Sequence, residues 1–160
     1  MAGAANHAIV PFEARHADAF RDLNLAWIEH YFGVEAKDRE VLDNPGSNII
    51  DKGGAILVAE DGDGTAVGCV GLVPVGDGVL ELVKMAVADS SRRTGIGGML
   101  VSSAIAEARR IGAKSLYLES NSRLEAALRL YERAGFRHLP AEEQPASPYA
   151  RCNVYMRLEL

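Results

Sequence analysis

Arg92-Arg93-Thr94-Gly95-Ile96-Gly97-Gly98 joins a strongly apolar segment, residues 79–87, to an amphipathic segment, residues 99–111. The first segment has the length and composition of a buried strand, and the second has the period of a helix. A strand that turns through glycines into a helix leaves the first helix amides unpaired, and the helix dipole and the arginines add positive charge. The stretch therefore predicts a site for a ligand that carries a diphosphate group.

Two common phosphate-binding motifs do not fit this stretch. A Walker loop ends in Gly-Lys-Ser/Thr, whereas Gly98 is followed here by Met99. A dinucleotide fingerprint needs a further glycine three residues after Gly97, and Leu100 stands there. The pattern that fits is Arg-x-x-Gly-x-Gly, in which Arg92 is the arginine.

This pattern resembles the acyl-CoA loop of the GNAT superfamily of N-acetyltransferases, which hold the diphosphate of coenzyme A at such a turn. In that family the preceding strand ends in a valine five residues before the arginine, as Val87 does here. A short strand and a helix with a Leu-Tyr-x-x-x-Gly-Phe signature follow in the family, and residues 114–119 and 130–136 match them. The close resemblance covers residues 81–136.

The resemblance implies an acetyl-CoA-dependent N-acetyltransferase that moves an acetyl group directly to a primary amine in a ternary complex. Acetyl-CoA is the implied co-substrate, and the acceptor is a small-molecule or protein amine. The implied cofactor-binding residues lie on the central strand, the loop and the two following elements: Met85, Ala86, Val87, Arg92, Arg93, Thr94, Gly95, Ile96, Gly97, Gly98, Asn121 and Tyr131. A non-catalytic acyl-CoA-binding or sensing module stays open as an alternative, as does a plain interaction domain.

The sequence departs from the family pattern at two positions. Arg93 stands where the family usually has glycine, and its charge either strengthens phosphate binding or is solvated. Leu124 stands where many members have asparagine, so Asn121, one turn earlier, is the residue expected to contact the cofactor arm.

Glu81 and Tyr131 are the two candidate catalytic residues. Glu81 is the sole carboxylate in an apolar strand, where burial raises the pKa of a carboxyl group to a value that suits a general base. It also matches a catalytic glutamate in a similar Glu-x-Val-x-x-Ala run of histone-acetylating relatives. The alternative is that Glu81 faces solvent and that a water molecule deprotonates the amine. The family's tyrosine at position 131 lies near the CoA sulfur and acts as general acid, although Tyr131 also completes an apolar helix stripe.

Other positions carry weaker expectations. Backbone amides of residues 85–87 are expected to stabilise the developing oxyanion. Glu119 either orients the substrate or is a solvated strand-end carboxylate. Three aromatic residues either line the acceptor site or belong to the core: Trp27, Tyr31 and Phe32. Residues 16–50 are expected to shape the acceptor pocket, and their sequence does not name the acceptor.

Periodicity predicts the element order β-α-α-β-β-β-α-β-α-β-β, an α/β (α+β) fold. It implies a mixed sheet with helices on both faces, and the family's layout adds that the sheet is mostly antiparallel. Six of the seven predicted strands have bounds, residues 9–12, 55–60, 65–73, 79–87, 114–119 and 151–160, and the seventh lies between the last helix and the final strand. The predicted helices are residues 16–32, 35–43 and 99–111, and one more that Gly135 ends.

Composition limits the classes of protein and partner. The chain has 160 residues, so we expect one domain over residues 1–160, with residues 1–6 as a tail. A net charge of −5 argues against a nucleic-acid partner. No apolar run approaches the roughly 18 residues of a membrane span, and the start lacks the pattern of a secretion signal, so a cytoplasmic protein is expected.

The cysteines and histidines predict no metal site. Cys69 and Cys152 lie in apolar alternating segments and are expected to be small buried residues. The four histidines are scattered without the spacing of metal ligands. The final strand is a candidate contact in a homodimer, as in many relatives of the resembled family.

Overall fold

The computed structural model describes residues 7–160, so the expected tail at residues 1–6 lies outside the described residues. The strands are β1 Ala8–Pro11, β2 Ala55–Glu60, β3 Ala66–Gly76, β4 Val79–Val87, β5 Ser115–Ser120, β6 Arg137–His138 and β7 Val154–Glu159. The α-helices are α1 Ala17–Tyr31, α2 Ala36–Asp43, α3 Pro45–Asn48, α4 Ile96–Ile111 and α5 Glu125–Ala134. Short 3₁₀ turns occupy Ala14–His16, Ile50–Lys52, Asp89–Ser91 and Ala141–Glu143.

The strands form one seven-stranded sheet in the order β1-β2-β3-β4-β5-β7-β6. Only β4 and β5 are parallel, and every other neighbouring pair is antiparallel. The parallel pair is connected through α4, as a crossover between parallel strands requires. The predicted α/β class and the mixed, mostly antiparallel sheet are confirmed.

Two apolar clusters, one for each face of the sheet, hold the helices in place. α4 and α5 pack on the first cluster, where Leu100, Ala104 and Met156 are fully buried. α1 and α2 pack on the second, where Phe20 and Ile28 are fully buried. Apolar residues of β4 contribute to both clusters in alternation, so the strand is covered on both sides.

α4 begins at Ile96, three residues earlier than the predicted start at Met99. Gly95 precedes it in the left-handed conformation, with φ of 88°, which glycine adopts without strain. Gly97 and Gly98 therefore belong to the first turn of the helix. The prediction was wrong because glycine is a poor helix former in an interior but is tolerated in the first turn.

Apart from shifts of one residue, three other boundaries differ from the prediction. Asn44-Pro45-Gly46, predicted only to stop a helix, also starts the short helix α3, because proline fits the first position of a helix. β3 extends to Gly76, beyond the predicted end at residue 73. The final strand begins at Val154, so Cys152 lies in the preceding loop and not in the strand.

The edge of β7 that faces away from β5 is partly covered. β6 pairs with Arg157 and Met156, and the amide of Leu139 donates to the Tyr155 carbonyl. The final strand is therefore an inner strand along this stretch, and the homodimer expected through it stays a prediction.

Candidate active site

A cavity of about 140 Å³ passes between β4 and β5 where these strands separate. The two strands pair from Val79 with Ser115 to Leu82 with Leu118, and no pairing follows Leu82. From that point the β5-facing edge of β4 has free backbone groups, which are the donors that an oxyanion needs. The cavity lining includes Trp27 on the α1 side of the sheet and Leu124 and Ala127 near α5.

A bulge in β4 accompanies this separation. Gly71 of β3 faces Val83, but Cys69, two residues earlier, faces Ala86, so β4 contains one extra residue. Lys84 lies in this bulge and adopts the left-handed conformation, with φ of 53°. A bulge bends its strand and redirects a side chain, and Lys84 consequently reaches the buried Asp38 of α2.

Glu81 lies on the cavity wall, as the sequence predicted for a catalytic base. Burial, and then the charge of Glu119, raise the pKa of Glu81 from 4.5 to about 7. Glu119 lies on the same wall and accepts hydrogen bonds from the hydroxyls of Tyr117 at 2.7 Å and Ser147 at 2.5 Å. These two donors hold the Glu119 side chain in place beside Glu81, whose own carboxyl group titrates near neutrality.

Tyr131 of α5 lines the same cavity from the opposite face of the sheet. Its ring packs against Phe136 at 5.8 Å between centroids, so it also belongs to the core. Within residues 7–160 its hydroxyl forms no hydrogen bond, and burial raises its pKa. The hydroxyl therefore stays protonated at neutral pH, the ring packs in the core, and the role of general acid stays a prediction.

The predicted anion-binding loop stands at the start of α4, outside this cavity. Gly95 is the N-cap residue of the helix and has no side chain to bond the first amides. The first intrahelical bond joins the Met99 amide to the Gly95 carbonyl at 3.1 Å. The amides of the first turn thus have no helical partner. Arg92 is half-exposed and forms an ion pair with the exposed Asp89 at 2.9 Å, whereas Thr94 donates to the Ser91 carbonyl.

The predicted cofactor-binding residues fall into separate places. Met85, Asn121 and Tyr131 line the cavity, whereas Val87 and Arg92 line a second groove of about 520 Å³ beside α1. Arg93 is exposed, and Ala86 and Ile96 are buried with the core, so the last two offer only backbone groups.

Asn121 has a structural role that the sequence did not predict. Its side-chain amide donates to the Arg151 carbonyl at 2.6 Å and accepts from the Arg123 amide at 2.8 Å. These bonds hold the loop after β5 against the segment before β7. Asn121 lines the cavity while both ends of its amide are occupied.

The aromatic residues of α1 divide between the two openings. Trp27 lines both the cavity and the groove, and Tyr31 lines the groove. Phe32 packs edge-on against Trp27 at 6.3 Å. Arg123 lies 5.4 Å from the Phe32 ring and donates to the Tyr31 carbonyl, so it ties the loop after β5 to the end of α1.

Sequence reasoning missed a buried ionic group, which we call the Asp38 cluster: Asp38, Lys84, Tyr149 and Arg151. Asp38 accepts two hydrogen bonds from the guanidinium of Arg151, at 2.6 and 2.8 Å, and one from Lys84 at 2.6 Å. Burial alone would raise the pKa of Asp38, but the hydrogen bonds from Arg151 and Lys84 lower it to about 2. Lys84, Tyr149 and Arg151 all line the cavity.

We expect Asp38→Asn to destabilise the fold by about 3–5 kcal/mol, because the buried Lys84 and Arg151 lose their counter-charge. For a chain of this size the loss corresponds to a fall in Tm of about 10 °C or more. Asp43→Asn in the same helix, at an exposed position, is the matched control and should leave Tm unchanged. Thermal unfolding of both variants checks this, and equal Tm values would show that the cluster adds no stability.

Residues 7–160 contain neither a cluster of metal-ligating side chains nor a membrane-spanning helix. No three His, Cys, Asp or Glu side chains group together as metal ligands within residues 7–160. Over the same residues, no helix has the length and apolar character needed to cross a bilayer.

Comparison with known families gives one assignment. The family model described as the acetyltransferase (GNAT) family matches residues 15–136. An uncharacterized N-acetyltransferase of Schizosaccharomyces pombe is 33% identical over 147 residues, which cover 89% of this chain and 88% of that protein.

Solved structures show the same fold. An acetyltransferase of the GNAT family from Staphylococcus aureus superposes with a TM-score of 0.87 at 20% identity, covering 96% of this chain and 98% of the other. A GNAT superfamily phosphinothricin acetyltransferase from Sinorhizobium meliloti, solved in complex with acetyl-CoA, has a TM-score of 0.79 at 14% identity, covering 97% and 89%.

Proposed function

The chain belongs to the GNAT family and is an acetyl-CoA-dependent N-acetyltransferase, and from this premise we propose that it acetylates a primary amine by direct attack in a ternary complex. The observation that carries the proposal is the cavity through the sheet, which Glu81 lines from one strand and Tyr131 from α5. A base and an acid thus lie along one opening, as a direct transfer requires.

We place the diphosphate of acetyl-CoA at the start of α4. The unpaired amides of the first turn, the helix dipole and the positive charges of Arg92 and Arg93 support this position. The arm of the cofactor then follows β4 past Val87 and Met85, where the separated strand offers unpaired backbone groups. This position presents the thioester to the cavity near Tyr131. The complex of the Sinorhizobium meliloti relative with acetyl-CoA supports this choice of co-substrate.

Each step of the transfer has a residue suited to it. Glu81, in its ionised form, accepts a proton from the ammonium of the acceptor, which has a pKa near 10 when it is lysine-like. The free amine attacks the thioester carbon, and backbone amides near Met85 stabilise the charge on the oxygen. As the carbon–sulfur bond breaks, Tyr131 donates its proton to the departing thiolate, and the second proton that the attacking nitrogen loses restores the Tyr131 hydroxyl.

A second route through an acyl-enzyme has a specific candidate, because Cys152 also lines the cavity. Burial raises the pKa of its thiol, so the nucleophilic thiolate is scarce at neutral pH. Direct transfer is therefore favoured. A non-catalytic acyl-CoA-binding module is disfavoured because it needs neither Glu81 nor Tyr131 at the cavity.

We expect Tyr131→Phe to lower kcat by about tenfold to a hundredfold, because the variant loses the proton donor and keeps the ring that packs on Phe136. The Kd for acetyl-CoA should stay the same, since no bond of the hydroxyl is lost. Steady-state kinetics and calorimetry measure the two quantities. Tyr155→Phe, outside the cavity, is the control; an unchanged kcat in Tyr131→Phe would remove this residue as the acid.

A further inference from the structure

We propose that the Asp38 cluster receives a carboxylate of the acceptor, so the acceptor is a small amine that also carries a carboxylate group, as an α-amino acid does. This inference rests on the proposed function, because it names the substrate class of the same cavity. The inference depends first on the charges of Lys84 and Arg151, which line the cavity.

Two cations of that wall share one fully buried carboxylate. Lys84 and Arg151 both pair with Asp38 at 2.6 Å, so the three groups together keep one positive charge. The next carboxylate, Glu35, lies 3.5 Å from Arg151 and also accepts a hydrogen bond from the Ala150 amide at 3.1 Å. It is more exposed to solvent than Asp38, so its charge is better screened.

Several donors of the cluster have no acceptor in the protein. Each terminal nitrogen of Arg151 donates one hydrogen bond to Asp38. No residue from 7 to 160 accepts a hydrogen bond from the Nε of Arg151. The hydroxyl of Tyr149 accepts from Lys84 at 3.1 Å, and its own hydrogen finds no acceptor in the same range. Tyr149 and Arg151 lie face to face, 4.3 Å from guanidinium to ring centroid. A carboxylate satisfies such donors, because both of its oxygens accept charge-assisted hydrogen bonds.

Two carboxylates on the wall of the same cavity suit the other end of such a molecule. Glu119 is held by its two hydroxyl donors, and Glu81 stands beside it. These carboxylates attract an ammonium group, and Glu81 can take its proton. Glu81 and Lys84 are three residues apart on β4, a separation of at most about 10 Å along a strand. A cavity of about 140 Å³ with both groups on its wall favours an acceptor whose amine and carboxylate are few bonds apart.

The same charges disfavour other amines. A polyamine would place its second ammonium against Lys84 and Arg151, where like charges repel. A simple alkylamine leaves the donors of the cluster unsatisfied, which costs binding energy when water is excluded.

Matched substrate pairs test the inference on the wild-type protein. Each pair is an α-amino acid and the amino alcohol with the same side chain, such as leucine with leucinol, methionine with methioninol and phenylalanine with phenylalaninol. Spermidine and a lysine peptide represent the other classes. For at least one pair we expect kcat/KM to be about tenfold or more higher for the amino acid, from one charge-assisted hydrogen bond. Preference for spermidine, the peptide or the amino alcohols overturns the inference.

Arg151→Lys provides a second test, because it keeps a positive charge opposite Asp38 and removes the guanidinium donors. We expect this variant to lose most of the preference for the amino acid through a higher KM, with little change for the amino alcohol. A purely structural role of Arg151 would lower both activities alike and would overturn the inference. Arg137→Gln, at an exposed position away from the cavity, is the control and should keep the wild-type ratio.

Calorimetry with acetyl-CoA distinguishes a failure of this inference from a failure of the proposed function. Binding of acetyl-CoA without turnover of any amine that carries a carboxylate overturns the assignment of the Asp38 cluster and leaves the cofactor site intact. Absence of acetyl-CoA binding overturns the proposed function itself.

Discussion

Replacing Gly98 by glutamate should weaken acetyl-CoA binding by about a hundredfold or more. Gly98 is the third residue of α4, and a Cβ built there meets nothing within 4 Å. A carboxylate at this position lies in the first turn of α4, where we place the diphosphate. Two like charges about 4 Å apart near a protein surface interact by about 4 kcal/mol, which exceeds the roughly 2.7 kcal/mol of a hundredfold change.

The variant should keep its fold, because glutamate favours helices more than glycine does and is stabilised near a helix N-terminus. Gly98→Gln is the matched control, since it fills the same space without charge and should bind within a few-fold of the wild type. Calorimetry with acetyl-CoA measures both. Equal affinities for the two variants would reject the anion site at α4.

Gly97 is a poorer test position than the sequence suggests. A Cβ there would lie 2.6 Å from Cδ1 of Leu130 on α5, the helix that carries Tyr131. Any larger residue at Gly97 must shift the Leu130 side chain on that helix, so a loss of activity would not distinguish the cofactor site from the packing of α5.

Glu81→Gln should lower kcat by about a hundredfold or more, because the acceptor loses its general base. In the wild type, kcat should rise as pH rises toward about 7, the pKa of Glu81, and become constant above it. The variant should show no such rise. Glu142→Gln, at an exposed position, is the control; a wild-type pH profile in Glu81→Gln would transfer the role of base to water or to another group.

The same substitution has a stability signature that does not depend on activity. Folding raises the pKa of Glu81 from 4.5 to about 7, so the unfolded chain releases this proton first as pH rises. The folded state therefore loses stability between about pH 4.5 and 7, and the loss is complete above that range. Glu81→Gln removes this dependence. Its Tm relative to the wild type should thus increase across the window.

Local sequence patterns predicted much of the fold and half of the site. An apolar strand, a turn rich in glycine and arginine, and amphipathic helices are patterns within short stretches of sequence. These patterns predicted where β4, α4 and α5 lie in the chain. The Leu-Tyr-x-x-x-Gly-Phe signature placed Tyr131 on its helix, and an isolated carboxylate in an apolar strand identified Glu81. Both residues now line one cavity.

The other half of the site depends on contacts between residues far apart in the chain. Asp38 is 46 residues from Lys84 and 113 residues from Arg151, and no local pattern relates them. Lys84 offered one signal, because a lysine inside an apolar strand needs a carboxylate partner when it is buried. With 22 acidic residues in the chain, that requirement does not identify Asp38.

The bulge and the separation of β4 from β5 were also beyond the sequence. Residues 79–87 are apolar except for Glu81 and Lys84, and this composition does not locate a bulge. The extra residue is revealed only by the partners of β4 in β3, which change register between Val83 and Ala86. The opening that forms the cavity is therefore a property of the assembled sheet.

Release of free CoA thiol from acetyl-CoA, followed with and without an amine in one preparation of the wild-type protein, tests the central claim most directly. We expect acetyl-CoA to bind and free thiol to appear only when an amine acceptor is present. We also expect one amine to be acetylated for each thiol released. A stoichiometric burst of thiol without amine would contradict direct transfer and indicate an acyl-enzyme at Cys152. Binding of acetyl-CoA with no thiol release from any amine would contradict catalysis at this cavity.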